Sequence, residues 1–269
     1  MEIINKHIMQ EYLALKINYC RKQLERLPEI KLQTHNKNSD SKDVILVYGH
    51  RYRANSTNGK RYAKLLQYKE TLQRKLEYYE SVWNCKYKDI PFPECEPHRV
   101  IRTLLSANGT RIVMNKEFFD SLKNDANTKY PKPTSYPFNG IYYRSAAERE
   151  IAIFYTETGI QFKYEPEMTI MGVPGFIYPD FVIYIPELDN CKIHEHLGMK
   201  DSSRYLQITC TKYHNYTNAG LVPELDVIFT HDIEEIPFDV RALSSKLNTS
   251  IYTTMIGTKQ PINTQQTGS

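Results

Sequence analysis

The stretch GFIYPDFVIYIP, residues 175–186, decides the fold of this chain. Its apolar residues recur with period two, which is typical of a β-strand whose side chains point alternately to two faces. One face carries Ile177, Phe181, Ile183 and Ile185, and the other carries Tyr178, Asp180, Val182 and Tyr184. Pro179 has no N–H for the ladder and predicts a sheet edge or a bulge there. An aspartate in so apolar a strand needs a partner, and a cation is one of few good ones.

Helical and extended patterns alternate on both sides of this strand, between residues 139 and 231. A helix is predicted from about Ala146 to Thr158, and a polar helical pattern covers residues 201–220. Extended patterns fall in IQFKYE (160–165), TIMGV (169–173), CKIHEHLG (191–198) and LDVIFTH (225–231). Together with GFIYPDFVIYIP there are five such segments, one more than the four strands of the αβββαβ arrangement in the α/β (α+β) class that the alternation predicts.

Glu148 is a carboxylate at the start of the first of these helices. Ser145 is placed to cap the helix, and Glu148 completes an S-x-x-E capping box with it. That pairing gives Glu148 a structural role as one alternative. The other alternative is a role in the same acidic site as Asp180, which follows Glu148 in the chain.

Glu195 is a third carboxylate with a predicted inward direction. In CKIHEHLG it shares a strand face with Ile193 and Leu197, which predicts that it lies toward the core. Burial and a neighbouring Asp180 would both raise the pKa of such a carboxyl group, and a divalent ion would reverse both penalties. The sequence therefore predicts that Glu148, Asp180 and Glu195 form one metal-binding site.

Four motifs occur in order between about residues 140 and 231: RSAAERE, FKYEPE, YPDFVI and HEHLG. They resemble the PD-(D/E)XK superfamily of restriction-endonuclease-like nucleases, and within it a bacterial and phage group with R-S-x-x-E, Y-E, P-D-F and E-H-x-G motifs. The resemblance implies a restriction-endonuclease-like αβββαβ core with a mixed central sheet. It also implies hydrolysis of phosphodiester bonds in DNA, with RNA as the alternative, by water that Mg²⁺ or Mn²⁺ activates. The metal would be held by Asp180 and Glu195, with Glu148 binding directly or through water.

One position departs from the superfamily pattern, because Leu197 stands where a lysine is expected. Lys163 on the preceding strand and Lys212 on the following helix are candidates for a relocated lysine, and Lys200 is a weaker one. A catalytically inactive nucleic-acid-binding module of the same fold is the alternative function. Contacts to nucleic acid are further expected from Arg144, His196 and Tyr216, although a plain surface histidine is the alternative for His196.

The N-terminal part predicts a helical arm. Residues 1–27 lack proline and glycine and form a helix that stops near Pro28, and a second helix runs from Ser56 to about Lys86. Between them, the β-branched run Val44–Tyr48 begins a small β-hairpin. Leu65, Leu72 and Tyr79 repeat every seven residues, as do Leu76 and Trp83, which favours an antiparallel helical hairpin. A homodimer through these helices, and a structural protein that assembles through them, are the alternatives.

A cluster of basic residues lies in this arm. Between His50 and Lys75 there are eight lysines and arginines and one glutamate. Such a stripe suits the phosphates of DNA, whereas a merely solvated helix face is the alternative. The candidate DNA contacts are Arg51, Arg53, Lys60, Arg61 and Lys64.

The sequence thus divides into four predicted parts: a helical arm with a β-hairpin (1–90), a connecting segment (91–138), a nuclease domain (139–250) and a tail (251–269). The net charge of +4 is too small to demand an anionic partner by itself. The five cysteines contain no CxxC pair, which argues against a zinc knuckle and predicts free thiols in a reducing compartment. Since no stretch has the roughly 18 apolar residues of a membrane span, we expect a cytoplasmic protein.

Overall fold

The computed structural model describes residues 2–33, 43–92, 101–198, 203–232 and 237–256. The chain forms two compact units, Met1–Pro97 and His98–Ser269, which we call the N-terminal unit and the C-terminal unit. Helices and β-sheets are combined, so the predicted mixed α/β class is confirmed. None of the helices among these residues combines the length and the apolar composition needed to cross a membrane.

Two long helices pack side by side in the N-terminal unit: α1 (Glu2–Arg26) and α2 (Thr57–Lys86). They run antiparallel, because Arg21 is ion-paired with Glu80 at 2.6 Å while Lys69 donates to the carbonyl of Pro28. Their shared core contains Ala14, Ile17, Trp83 and Tyr87, flanked by Leu76 and Tyr79. The predicted helical hairpin is therefore confirmed. Its seam faces a helix of the same chain, and the homodimer stays a prediction.

A small antiparallel sheet accompanies these helices, with β1 (Ile30–Gln33), β2 (Val44–Val47) and β3 (His50–Arg53) in that order. The predicted hairpin is the pair β2 and β3, which turns at Tyr48 and Gly49 with φ of 47° and 80°. Positive φ at both turn residues is what a tight hairpin requires. Strand β1 was not predicted from the sequence, and residues 34–42, between β1 and β2, lie outside the described residues.

Residues 101–138 belong to the C-terminal unit and do not merely connect two domains. They form β4 (Thr103–Leu105), β5 (Arg111–Val113), α3 (Lys116–Ser121) and β6 (Pro137–Phe138), and β7 (Ile141–Tyr142) then pairs with β6. Five apolar side chains of this stretch are buried against the large sheet: Leu104, Met114, Phe118, Phe119 and Leu122. The proline-rich flanks suggested a linker, but these apolar side chains complete the core.

The central part follows the predicted order of elements: α4 (Ala146–Glu157), β8 (Gln161–Tyr164), β9 (Phe181–Ile185), β10 (Asn190–Gly198), α5 (Ser203–Asn218) and β11 (Val227–Asp232). The strands form one mixed sheet in the order β11-β10-β9-β8, parallel only between β10 and β11. The stretch TIMGV forms no strand, and the isolated bridge between Met168 and Ile177 lies on either side of it.

The two faces of this sheet are covered by different helices. Val182, Ile193 and Leu197 pack with Tyr216 of α5 and Phe119 of α3. This confirms the prediction that Glu195 shares an inward face with Ile193 and Leu197. On the opposite face, Phe181 and His194 contact the ring of Tyr155 in α4.

A further helix, α6 (Val240–Ile256), also covers the sheet. Leu243, Leu247 and Ile251 are buried, and Thr254 accepts a hydrogen bond from the Lys192 ammonium of β10 at 3.1 Å. The predicted domain end at 250 and tail start at 251 are therefore wrong, because the helix continues across that boundary. The remaining tail residues, 257–269, lie outside the described residues.

Candidate functional site

Asp180 and Glu195 face each other at one end of the antiparallel pair β9 and β10. Phe181 pairs with His194, and continuing that register by one residue sets Asp180 opposite Glu195. The backbone N–H of His196 donates to Oδ2 of Asp180 at 2.7 Å, which fixes the aspartate against the edge of β10. The two carboxylates that the sequence singled out on separate strands are thus brought together by strand pairing.

The surroundings of this acid pair penalise two negative charges. Burial raises the pKa of Asp180 well above its usual value, and the negative charge of Glu195 raises it further, whereas Lys212 lowers it. Glu195 itself is only 1% exposed. Two ionised carboxylates that are close together and buried from water repel each other. A positive charge near both of them offsets this repulsion and the cost of burial.

Helix α5 supplies two donors to Glu195. The Lys212 ammonium donates to Oε2 at 2.6 Å, and the Tyr216 hydroxyl donates to Oε1. The two residues lie four apart and therefore share one helix face. Glu195 is consequently clamped by an ammonium on one oxygen and a hydroxyl on the other.

Lys163, the candidate on the preceding strand, does not share this position. The Lys163 ammonium lies 5.4 Å from the centre of the Phe119 ring. Lys200 lies outside the described residues. Lys212 is the cation whose charge lowers the pKa of Asp180, which makes it the candidate for the lysine that Leu197 replaces.

Glu148 is held at the start of α4 by several donors. The Ser145 hydroxyl accepts from the backbone N–H of Glu148 at 3.1 Å and donates to its Oε1 at 3.2 Å. The predicted cap is therefore present. The Glu148 Oε2 also accepts from the backbone N–H of Arg144 at 3.2 Å and from the Tyr164 hydroxyl at 2.6 Å. Tyr164 was not singled out in the sequence, and no local spacing links it to Glu148.

Charge connects Glu148 to the acid pair, although no direct contact does so. Burial raises the pKa of Glu148, while the donors Tyr164 and Arg144 lower it. The Glu148 carboxylate in turn raises the pKa of Asp180, so the two interact electrostatically.

The predicted metal site is tested by the arrangement of these acids. Among the residues described, no group of three or more histidine, cysteine, aspartate or glutamate side chains could share a metal ion. A three-ligand set that includes Glu148 is therefore not formed. The pair Asp180 and Glu195 still offers the donors that Mg²⁺ prefers, because this ion is often held by one or two carboxylates and keeps several waters.

Three residues that were expected to contact nucleic acid are occupied by protein partners. Arg144 pairs with Glu165, its Nε lying 2.5 Å from Oε1. The His196 side chain lies on the strand face away from Glu195, and its Nδ1 is hydrogen-bonded to Oγ1 of Thr230 at 2.9 Å. Burial lowers the pKa of His196 to about 4, so the ring is neutral near pH 7. Tyr216 is 3% exposed, which leaves no ring face for a base. Each of these three side chains is thus engaged with another residue of the protein, and their contact with nucleic acid stays a prediction.

The basic residues of the N-terminal unit are available. Arg51 and Arg53 point outward from β3, while Tyr52 between them contacts the Tyr62 ring. Lys60, Arg61 and Lys64 are also exposed and line a cleft at the start of α2, whose first turn has no acidic residue. Five of the predicted DNA contacts thus form an exposed positive surface.

A second cleft, of about 280 Å³, reaches Glu195 of the acid pair within the C-terminal unit. Glu195, Lys212 and Tyr216 line it together with Tyr130 and Phe176, which the sequence reasoning missed. Comparison of the chain with models of known protein families, with curated proteins and with solved structures gave no match. Its function is therefore inferred from the chemistry of these side chains.

Proposed function

We propose that the C-terminal unit is a metal-dependent deoxyribonuclease that hydrolyses phosphodiester bonds of DNA, with a restriction-endonuclease-like core. The observation that carries the proposal is the ion pair between Lys212 and Glu195, beside Asp180. An acid pair with an adjacent lysine is the charge combination that the PD-(D/E)XK motif provides. Here the lysine comes from a helix, whereas the motif position on the strand is Leu197.

Asp180 and Glu195 would hold Mg²⁺ or Mn²⁺. When bound, such an ion lowers the pKa of a coordinated water and withdraws charge from a phosphate oxygen. The chain's own groups prepare the site for this: the His196 N–H orients Asp180, and the Tyr216 hydroxyl orients Glu195. The raised pKa of Asp180 means that metal binding competes with a proton, so affinity for the metal should rise with pH.

Lys212 would stabilise negative charge on the phosphate during hydrolysis. An ammonium that is already held beside the acid pair is worth more than a freely moving one, because no reorganisation is needed when charge develops on the phosphate. Its ion pair with Glu195 holds it there before substrate arrives. Glu148 would act through its charge on Asp180 and through the packing of Tyr164.

The five exposed cations of the N-terminal unit would hold the DNA backbone. These cations are Arg51, Arg53, Lys60, Arg61 and Lys64. The first turn of α2, beside them, contains no acidic residue. Such contacts are independent of sequence and sensitive to salt. They would raise affinity for any DNA and leave the choice of cleavage position to the C-terminal unit.

The alternative function is a catalytically inactive DNA-binding module. It is favoured by the way in which Lys212 and Tyr216 already engage both oxygens of Glu195. A carboxylate satisfied by two donors needs a metal less than an isolated one does.

Cleavage of single-stranded and duplex DNA with Mg²⁺ or Mn²⁺ tests the proposal, with EDTA as the metal-free control. Asp180→Ala should abolish cutting, whereas Asp120→Asn, which changes an exposed carboxylate of α3, should leave it unchanged. Metal-dependent cutting that requires Asp180 supports the nuclease. Salt-sensitive DNA binding without any cutting would instead favour the inactive module.

A further inference from the structure

Two exposed aromatic rings line the cleft that leads to Glu195. Tyr130 is 59% exposed and Phe176 is 58% exposed. Scattered apolar residues on a surface need no explanation, but these rings share one concave site with Ile177 and Tyr178. A cleft walled by aromatic faces offers a stacking surface for a flat ligand.

Charged groups lie in and beside the same cleft. Lys212 and Glu195 line it, and the Lys129 ammonium lies 5.5 Å from the centre of the Tyr130 ring. Aromatic faces interleaved with cations are the combination that binds single-stranded nucleic acids, since bases stack on the rings while phosphates meet the positive charges. The acid pair of the proposed nuclease then lies next to the stacked base.

The protein holds the walls of the cleft in place. Tyr178 donates its hydroxyl to Glu167 at 2.9 Å. Phe176 follows Gly175, which has a φ of 82°, and precedes Ile177, which is bridged to Met168. Phe176 is therefore presented by a defined turn between fixed points and its exposure is built into the fold.

We propose that this cleft takes one unpaired base of single-stranded DNA, stacked against Phe176 and Tyr130, with the adjoining phosphate at Lys212 and the acid pair. The inference rests on the proposed nuclease function and specifies its substrate class. The volume of about 280 Å³ lies at the small end of ligand pockets, which span roughly 300–1,000 Å³, and suits a single nucleotide. A base inside a duplex is stacked on both sides and has no free face to offer.

Equilibrium binding of a single-stranded oligonucleotide containing 2-aminopurine tests this assignment, with EDTA present to prevent cutting. The fluorescence of 2-aminopurine is quenched when it stacks, so the signal reports the contact and the anisotropy of a separate end label reports affinity. Phe176→Ala and Tyr130→Ala should each weaken single-strand binding about tenfold and reduce the quenching. Phe176→Trp should restore both.

Tyr142→Ala serves as the matched control, because Tyr142 is 48% exposed and does not line the cleft. It should bind as the unmodified protein does. Unchanged affinity and unchanged quenching in Phe176→Ala would overturn the inference, as would equal quenching of duplex and single strand.

Failure of the inference and failure of the nuclease proposal give different results. If Asp180-dependent cutting is present but is equal on both DNA forms and insensitive to Phe176→Ala, the assignment of the cleft is overturned and the nuclease stands. If Phe176→Ala loses single-strand binding while the unmodified protein cuts nothing with either metal, the cleft binds single-stranded DNA and the catalytic proposal fails.

Discussion

Lys212 is the residue that we propose takes the place of the lysine missing from the motif. In the PD-(D/E)XK pattern the lysine follows the acid on the same strand, but Leu197 is buried at that point and packs in the core. The ammonium instead reaches Glu195 from α5, 17 residues along the chain. The position of a charge in space, and not its position in the motif, decides what it does to the acid pair.

A comparison of two lysines tests this replacement. Lys212→Met should lower the rate of DNA cleavage on the order of 10²-fold to 10³-fold, the usual effect of removing one group that stabilises transition-state charge. Lys163→Met should leave the rate close to normal, because the Lys163 ammonium lies over the Phe119 ring. Single-turnover cleavage at saturating metal measures the difference. The reverse ranking of the two variants would assign the role to Lys163.

Lys192 is a buried lysine whose titration should affect stability. It is fully buried, it donates to the carbonyl of Leu225 at 2.7 Å, and burial lowers its pKa to about 8. The unfolded lysine keeps its proton up to a pKa of roughly 10.4. Between these values the unfolded chain binds more protons, so this residue makes the free energy of unfolding rise with pH.

Lys192→Met should therefore be more stable than the unmodified protein at pH 7, by about 1–3 kcal/mol, because no buried charge remains. That advantage should shrink between pH 8 and pH 10. Urea denaturation at several pH values measures it, and Lys123→Met, at an exposed position, is the control. An advantage that does not change with pH would contradict the assigned cause.

At the scale of elements, α4 shows one glutamate serving two purposes. Ser145 and Glu148 form the cap that the S-x-x-E spacing predicted. The electrostatic effect of Glu148 on Asp180 agrees with the predicted grouping of the acids, whereas the hydrogen bond from the Tyr164 hydroxyl could not be predicted, because it depends on strand β8 lying beside the helix. A local motif predicts local bonds, whereas contacts between distant elements require the fold.

Two variants separate the roles of the cap. Ser145→Ala should lower the free energy of unfolding by about 1 kcal/mol, because an N-terminal N–H loses its acceptor, and should leave DNA cleavage nearly unchanged. Glu148→Gln keeps a hydrogen-bonding side chain but removes the charge that acts on Asp180. It should lower cleavage at least tenfold, on the order of 1.4 kcal/mol in the barrier. Chemical denaturation and cleavage assays on both variants check this, and equal loss of activity in both would mean that the cap alone matters.

The sequence predicted elements with strong periodicity and missed those with weak signals. The strand faces around Asp180 and Glu195 followed from period-two alternation. Helix α6 was missed because its serines and threonines have modest helix propensity, although Leu243, Leu247 and Ile251 repeat at intervals of four. The exposed Phe176 gave no signal, since a phenylalanine beside a glycine is as compatible with a buried turn as with a binding cleft.

At the scale of the whole molecule, the acid pair belongs to one unit and the exposed cluster of cations to the other. The net charge of +4 conceals this division, because the basic residues between His50 and Lys75 are balanced elsewhere. A surface that neutralises phosphates releases the counterions of DNA, so binding through it weakens as salt rises. Affinity and cleavage should therefore respond to different substitutions.

Charge removal in the N-terminal unit tests this separation in the full-length protein. The variant replaces five cations together by glutamine: Arg51, Arg53, Lys60, Arg61 and Lys64. The slope of log affinity against log salt concentration should become shallower by about one unit for each phosphate that the protein no longer neutralises. Lys86 and Lys88 are also exposed but lie at the far end of α2, and glutamine at both should leave the slope near its normal value. Once DNA is saturating, the five-residue variant should cut as fast as the unmodified protein, because its acid pair is intact. An unchanged slope would show that these cations are only a solvated face, while a lower cutting rate at saturation would show that the two units do not act independently.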